Sequence, residues 1–201
     1  MMPRALRLVP VVVAAAALGC DAEPRVAVEA RLEAGPVAEL PVRLVPYDRE
    51  AILDSLAAGA EAPEPLPRPG LIEALQSIDA GRASVNLSGD TLALSPAEIA
   101  RRLRAEADSV RQAQRAWSDR TFQPLEGIAE RHREASGREE LADTTDAAGR
   151  VAFRAPPGEW WVHARYRLPY SELRWNVPVR VSGDSASVVL SRQNASEHPR
   201  P

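Results

Sequence analysis

The sequence predicts an α+β protein, in which an antiparallel β-sandwich carries a large helical insertion between its second and third strands. Apolar and polar residues alternate at both ends of the chain, over residues 25–47 and 143–191, which is the period of half-buried strands. Over residues 48–142 the apolar residues instead recur at the spacing of amphipathic helices. The 201 residues are enough for one sizeable core, and two domains of independent size would not fit comfortably.

The first 19 residues have the pattern of an export signal. Two arginines precede an apolar run at residues 8–18, which is too short to span a bilayer and matches the hydrophobic region of a signal peptide. The run ends in Ala-Leu-Gly-Cys at residues 17–20, which resembles the bacterial lipobox, where the cysteine is acylated before cleavage. Cys20 is the only cysteine, and an exported chain needs a reason for one unpaired thiol. We therefore predict a lipoprotein anchored at Cys20, with residues 20–24 as a tether; the alternative is an ordinary signal peptide.

This signal predicts a place at the bacterial cell envelope. Acyl chains such as palmitate anchor a protein stably, because about 0.8 kcal/mol accumulates for every buried methylene group. Asp21 follows the cysteine and resembles the inner-membrane retention signal of enterobacterial lipoproteins, so the inner membrane is slightly favoured. The chain carries 25 basic and 28 acidic residues, and this balance gives no electrostatic reason to expect nucleic acid as a partner.

After the tether, the chain is predicted to form a strand pair followed by two helices. Residues 25–33 and 41–47 both alternate, so we expect them to form an antiparallel pair. Asp48 is placed to cap the first helix and Gly81 to end the second. Residues 61–70 lie between the helices and contain four prolines, which is typical of a stiff, extended connector.

The stretch from residue 83 to 95 fits two structures. Ser88, Gly89 and Asp90 could turn a small hairpin, or the stretch could be an extended connection. The sequence leaves both open.

A longer helix is predicted to begin at Ser95. Ser95, Pro96 and Glu98 combine an N-cap residue, proline at the first helical position and the acid of a capping box. Pro124 should break this helix, and a second helix should end near Gly137. Both helices carry one apolar face, so the sequence predicts an antiparallel helical hairpin.

Strands are predicted to return after residue 143. Residues 150–154 alternate, and a Pro-Pro-Gly turn leads into a strand that starts at Trp160, so the two strands are expected to form a β-hairpin with Phe153 and Trp160 facing inward. Two more strands follow, and the polar residues 192–201 are predicted to be a disordered tail.

Residues 144–164, TTDAAGRVAFRAPPGEWWVHA, resemble the central signature of the carboxypeptidase-regulatory-like family. The resemblance implies a prealbumin-type, Greek-key β-sandwich, with residues 25–47 as the opening strand pair and 173–191 as the closing pair. The chain departs from the family pattern at residues 48–142, where typical members have a short loop. The signature positions are Thr145, Asp146, Gly149, Phe153, Pro157, Gly158 and Trp160.

No arrangement of residues in the sequence predicts catalysis, a metal or a cofactor. The three histidines have no metal-ligand spacing such as HExxH. A Gly-Asp-Ser at residues 183–185 superficially resembles a serine hydrolase motif, but it lacks the position and the Asp-x-x-His partner of that family. A turn explains it better, so we predict that the protein is not an enzyme.

One strand face is a candidate ligand surface. If Trp160 points into the sandwich, Trp161, His163, Arg165 and Arg167 point outward. The helical insertion could cover this face, or the face could bind a glycan or an acidic polymer. The sequence therefore predicts a non-catalytic binding or scaffolding protein of the envelope with a protein or glycan partner. The alternatives are a glycan- or peptidoglycan-binding module and an accessory subunit of an envelope hydrolase.

Overall fold

The structure is a computed structural model that describes residues 23–81 and 95–201. Cys20, Asp21 and the predicted signal peptide lie outside the described residues, as do residues 83–94, for which the sequence left two structures open. The described strands are β1 (Arg25–Leu32), β2 (Gly35–Pro36), β3 (Pro41–Val45), β4 (Leu141–Thr144), β5 (Arg150–Arg154), β6 (Gly158–Arg167), β7 (Ser171–Val181), β8 (Ser185–Leu190) and β9 (Ser196–Pro199). The described helices are α1 (Arg49–Ala58), α2 (Leu71–Asp79), α3 (Pro96–Thr121) and α4 (Leu125–Ser136).

The strands form two sheets that are largely antiparallel. In the four-stranded sheet, β1 pairs with β5 and, at its end, with β2, and it pairs in parallel with β8. The five-stranded sheet has the order β4-β3-β6-β7-β9, with every neighbouring pair antiparallel. The helices all come between β3 and β4 in the described part of the chain.

The two sheets share one hydrophobic core. Val26 and Val28 of β1 lie in the same buried cluster as Trp160 of β6 and Leu173 and Trp175 of β7. Each of these side chains is at most 1% exposed. This arrangement is compatible with a β-sandwich, and it confirms that the predicted alternation identifies the inward-facing residues.

The predicted strand pairs are wrong. The segments expected to form the opening pair belong to different sheets, because β1 pairs with β5 and β8, whereas β3 pairs with β4 and β6. The expected hairpin of β5 and β6, and the closing pair of β7 and β8, are likewise divided between the sheets. Alternation fixes which face of a strand is buried, but both sheets bury a face in the same core, so alternation does not identify the neighbour.

The signature residues form a tight turn and, as predicted for Phe153 and Trp160, face the core. The Asp146 carboxylate accepts hydrogen bonds from the backbone N–H groups of Ala148 and Arg150 at 2.9 and 2.8 Å. Gly149 follows with a φ of 72°, as expected for a glycine in this turn. Phe153 and Trp160 are 6% and 1% exposed. These residues fold the corner between the two sheets.

The helix boundaries follow the predicted caps. Asp48 accepts a hydrogen bond from the Ala51 N–H, and Ser95 accepts one from the Glu98 N–H. Gly137 ends α4 in the left-handed conformation. Gly81 lies just after the end of α2, where Ala80 is the capping residue. No helix in the described ranges is long and apolar enough to cross a membrane.

The predicted helical hairpin is also wrong, because α3 and α4 bury their apolar faces against different partners. Leu103 and Ala107 of α3 pack with Leu71 and Leu75 of α2. Ala129 of α4 belongs instead to a cluster that contains residues of α1 and the end of β3. An amphipathic pattern predicts that one face of a helix is buried. The short connection between α3 and α4 does not decide which part of the protein covers that face.

Residues 192–201, predicted to be disordered, are ordered. They form a short 3-10 turn at Arg192–Asn194 and then β9, which pairs antiparallel with β7. Glu197 accepts hydrogen bonds from Arg192 and Ser171, so side chains also hold the strand in place. These residues are polar because β9 is an edge strand, in which only part of each residue is buried.

Candidate functional site

Polar side chains form rows across the outer face of the five-stranded sheet, on the side away from the shared core. This face belongs to alternate residues of β6, β7 and β9. The register pairs His163 with Asn176, Arg165 with Arg174, Arg167 with Glu172, and Glu172 with His198.

The structure divides the predicted ligand surface into a covered part and an open part. Trp161 packs against α1 and α4, in a cluster that includes Ile52 and Ala129. His163 is 7% exposed, whereas Arg165 and Arg167 are both exposed. The four predicted residues therefore do not form one binding face.

Arg165 and Arg167 line a cavity of about 440 Å³, which we call the arginine cleft. Its walls are the C-terminal half of α3 on one side and strands β6, β7 and β9 on the other. Five arginines and three carboxylates line it, so positive charge is in excess. The lining residues are Glu64, Gln114, Arg115, Trp117, Ser118, Asp119, Phe122, Arg165, Arg167, Glu172, Arg174, His198, Pro199 and Arg200.

Glu172 is the buried anion of the cleft. It is 3% exposed and binds Arg174 at 2.7 Å and Arg200 at 2.9 Å, with Arg167 at 3.9 Å. Burial alone would raise the pKa of Glu172, but the hydrogen bond from Arg174 and the surrounding positive charges outweigh it and lower the pKa. Glu172 is therefore ionised at neutral pH, and it engages three of the five arginines.

Arg165 differs from these three arginines. Among the described residues it has no ion pair or hydrogen bond through its side chain, and the same holds for Arg115. Desolvation of the guanidinium in the cleft, and then the positive charge of Arg174, lower the pKa of Arg165. Arg165 and Arg174 are thus paired in the register of β6 and β7. Two carboxylates favour the charged form of Arg165: Glu172, which already binds Arg174, and Glu50.

Several buried polar atoms at this face have no hydrogen-bond partner among the described residues. They are Gln114 Oε1, His163 Nε2, Asn176 Oδ1 and His198 Nε2. Burial, followed by the charges of neighbouring arginines, lowers the pKa of His163 to about 3, so its imidazole is neutral. Because buried polar groups are normally paired, Gln114 and His198 give the cleft unused hydrogen-bonding capacity.

Sequence reasoning identified only the β6 residues of this cleft. The missed residues come from the proline-rich connector, from α3 and the residue that follows it, from β7 and from the C-terminal residues. They fold together although Gln114 and Arg200 are far apart in sequence. One signal was available: Glu172 and Arg174 alternate with Leu173 and Trp175, and this pattern indicates a charged outer face. Because residues 192–201 were predicted to be disordered, His198 and Arg200 were not predicted as site residues.

The described residues assemble neither a metal centre nor a serine-histidine pair. No group of three or more His, Cys, Asp or Glu in the described ranges could hold a metal ion. Ser185 is exposed at the first position of β8, whereas His163 and His198 lie in the other sheet and His132 lies on α4. The turn interpretation of Gly-Asp-Ser agrees with this position.

Comparison with known proteins finds no matching family model, no matching curated protein and no matching solved structure. The resemblance to carboxypeptidase-regulatory-like domains therefore stays a prediction based on the signature residues.

Proposed function

We propose that the protein is a non-catalytic binding module of the bacterial cell envelope, anchored by a lipid at Cys20, whose ligand enters the arginine cleft. The observation that carries the proposal is the combination, in one cavity, of Arg165 without an anionic partner and Gln114 with a buried, unpartnered amide atom. Ligand sites are concave and contain a few converging polar groups, and the cleft has both properties.

The polar groups in and beside the cleft suit ligand binding better than catalysis. A general base needs a pKa near the working pH, but the pKa of His163 is about 3 and that of His198 is also lowered, chiefly by burial. The cleft offers hydrogen bonds and positive charge, which bind and orient a ligand. We also infer a prealbumin-like, Greek-key sandwich, which the geometry of the Asp146 and Gly149 turn supports.

Photo-crosslinking in native membranes tests the cleft. A photoreactive phenylalanine analogue at Ser118, which lines the cleft, is compared with the same analogue at Ala116, an exposed neighbour on α3. We expect a ligand adduct from position 118 and none from position 116, identified by mass spectrometry of the purified full-length protein. Equal adducts at both positions, or none at 118, would contradict binding of a ligand from the envelope in the cleft.

Metabolic labelling tests the anchor. Cells given radioactive palmitate should label the full-length protein, and Cys20→Ala should abolish the label while the protein is still produced. Labelling that persists in Cys20→Ala, or is absent from both forms, would contradict lipidation at this residue.

Glycan binding stays as a second candidate because Trp161 still borders a small groove beside Pro178 and Arg180. Aromatic rings next to arginines suit the face of a sugar. In this case, solubilised cell-wall fragments should change the tryptophan fluorescence of the wild type, and Trp161→Phe should weaken the response. An unchanged response in Trp161→Phe would move the glycan site elsewhere.

A further inference from the structure

We propose that the ligand of the arginine cleft is a small molecule with an oxyanion group, a carboxylate or a phosphate, held by Arg165, and with a nearby N–H or O–H group that bonds to Gln114. This inference rests on the proposed function, because it specifies the chemistry of the ligand in the same cleft.

Arg165 is the group that needs an anion. The register places it directly opposite Arg174, and two like charges at facing positions of an antiparallel pair repel each other. Glu172 accepts the Arg174 Nε–H at 2.7 Å and the Arg200 Nη1–H at 2.9 Å, so it is already shared between two arginines. A second anion between Arg165 and Arg174 would relieve the repulsion. The planar guanidinium suits two oxygens of one carboxylate or phosphate.

Gln114 is the second, independent observation. Its side chain lines the cleft from α3 and is 6% exposed, and its Oε1 has no partner among the described residues. A buried amide oxygen without a partner is unfavourable, and a donor on the ligand would satisfy it. The ligand therefore carries a donor next to its acidic group, as amino acids, short peptides and sugar phosphates do.

The size of the cleft and its acidic lining residues favour a compact ligand over a long polyanion. A cavity of about 440 Å³ lies toward the lower end of the usual range for small-molecule sites. Glu64 and Asp119 also line it and would repel additional negative charge. One oxyanion group on a compact molecule fits these limits.

Calorimetric titration of the full-length protein in neutral detergent tests the proposal. The probes are glutamate, diglycine and acetate for carboxylates, glucose 6-phosphate and inorganic phosphate for phosphates, and glucose as the neutral analogue. We expect at least one oxyanion to bind and glucose not to bind. Arg165→Gln should weaken binding about tenfold or more, since it removes the charge and keeps a polar side chain.

Arg43→Gln is the matched control, because Arg43 is an exposed arginine of the same sheet that pairs with Glu140 and does not line the cleft. It should leave binding unchanged. Gln114→Met gives a second variant of similar volume, which should weaken the ligands that carry a donor and leave acetate, a carboxylate with no N–H or O–H group, less affected. Thermal unfolding followed by circular dichroism verifies that each variant is folded.

Each outcome decides the proposal. The preferred probe class assigns the oxyanion to a carboxylate or a phosphate. The proposal would be overturned if no oxyanion binds, or if the wild type and Arg165→Gln bind the oxyanions equally. If position 118 still forms an adduct in native membranes after such a result, the proposed function stands and only the ligand class is wrong. If an oxyanion binds through Arg165 but position 118 captures nothing, the envelope function fails and the anion site stands.

Discussion

Gly149 is the residue of the signature turn with the strictest conformational requirement. Its φ is 72°, and a Cβ there would collide with the Ala30 carbonyl oxygen and press on Pro36 and Val37. We expect Gly149→Ala to lower the free energy of unfolding by about 2–4 kcal/mol, because the strain of a positive φ adds to the steric clash. Urea denaturation followed by circular dichroism measures this change.

Gly183 supplies the control for that measurement. It has a φ of 75°, but a Cβ there would meet nothing within 4 Å. Gly183→Ala should therefore lower the free energy of unfolding by only about 1 kcal/mol, because it adds the strain of a positive φ without a steric clash. Equal losses in both variants would mean that the close approach to Ala30 contributes nothing.

His163 makes stability depend on pH. Its pKa is about 3 in the folded protein, where burial and then the arginines around it disfavour the imidazolium, and about 6.5 in the unfolded chain. Between these values the unfolded state binds the proton and the folded state does not, so stability falls as the pH falls. The groups that face it include Arg165, Arg49, Arg43 and Arg174.

Comparison with His163→Gln isolates this effect. We expect the wild type to lose about 2 kcal/mol more than His163→Gln between pH 8 and pH 5, measured by urea denaturation at each pH. Parallel stability curves for the two proteins would contradict a neutral, buried His163.

At the scale of the elements, the helices form two separate packing units on the protein. One unit joins α1 and α4 to the end of β3, around Val45, Tyr47, Ile52 and Ala129. The other joins α2 to α3, and Tyr170, after β6, packs at its edge and hydrogen-bonds Asp79. Trp117 of α3 also donates to the Ala62 carbonyl at 2.8 Å and so holds the proline-rich connector.

Trp161 connects the first unit to the five-stranded sheet. Because it packs against α1 and α4, Trp161→Ala should destabilise the protein by about 2–4 kcal/mol through lost burial and the cavity it leaves. Urea denaturation measures the loss. Leu66→Ala is the control, since Leu66 is 68% exposed and should cost less than about 0.5 kcal/mol. A loss for Trp161→Ala as small as that would indicate that its ring is free for a ligand.

For the whole molecule, the sandwich core and the helical units should differ in local stability. Strands β6 and β7 are interior strands of the five-stranded sheet, and their inward faces lie in the main core. Among the described residues, the fully buried cluster of the α2 and α3 unit consists of Leu71, Leu75, Leu103 and Ala107, which is much smaller than the main core. Less buried apolar area gives a lower free energy of local opening.

Native-state hydrogen exchange with mass spectrometry tests this difference. Peptides from α2 and α3 should exchange before those from β6 and β7, at conditions where global unfolding is rare. Simultaneous exchange of helices and strands would mean that the molecule opens as a single cooperative unit.

The sequence alone determined which residues face the core, where α1 and α3 begin and where α4 ends. Alternation in β1, β5 and β6 identified Val26, Phe153 and Trp160 as buried, and the caps at Asp48 and Ser95 marked the helix starts. These features are local, because side-chain direction and capping depend on residues a few positions apart.

Only the tertiary structure decided which strands pair, which helices pack together and where the arginine cleft lies. Several strands have the same alternating pattern, and all of them bury a similar apolar face in one core. The local pattern therefore does not identify which strands pair with each other. The cleft depends on Gln114, Arg165 and Arg200, which reach one cavity only because β9 joins the sheet and α3 covers it. Contacts between residues so distant in the chain come from packing of the whole molecule, which no short stretch of sequence encodes.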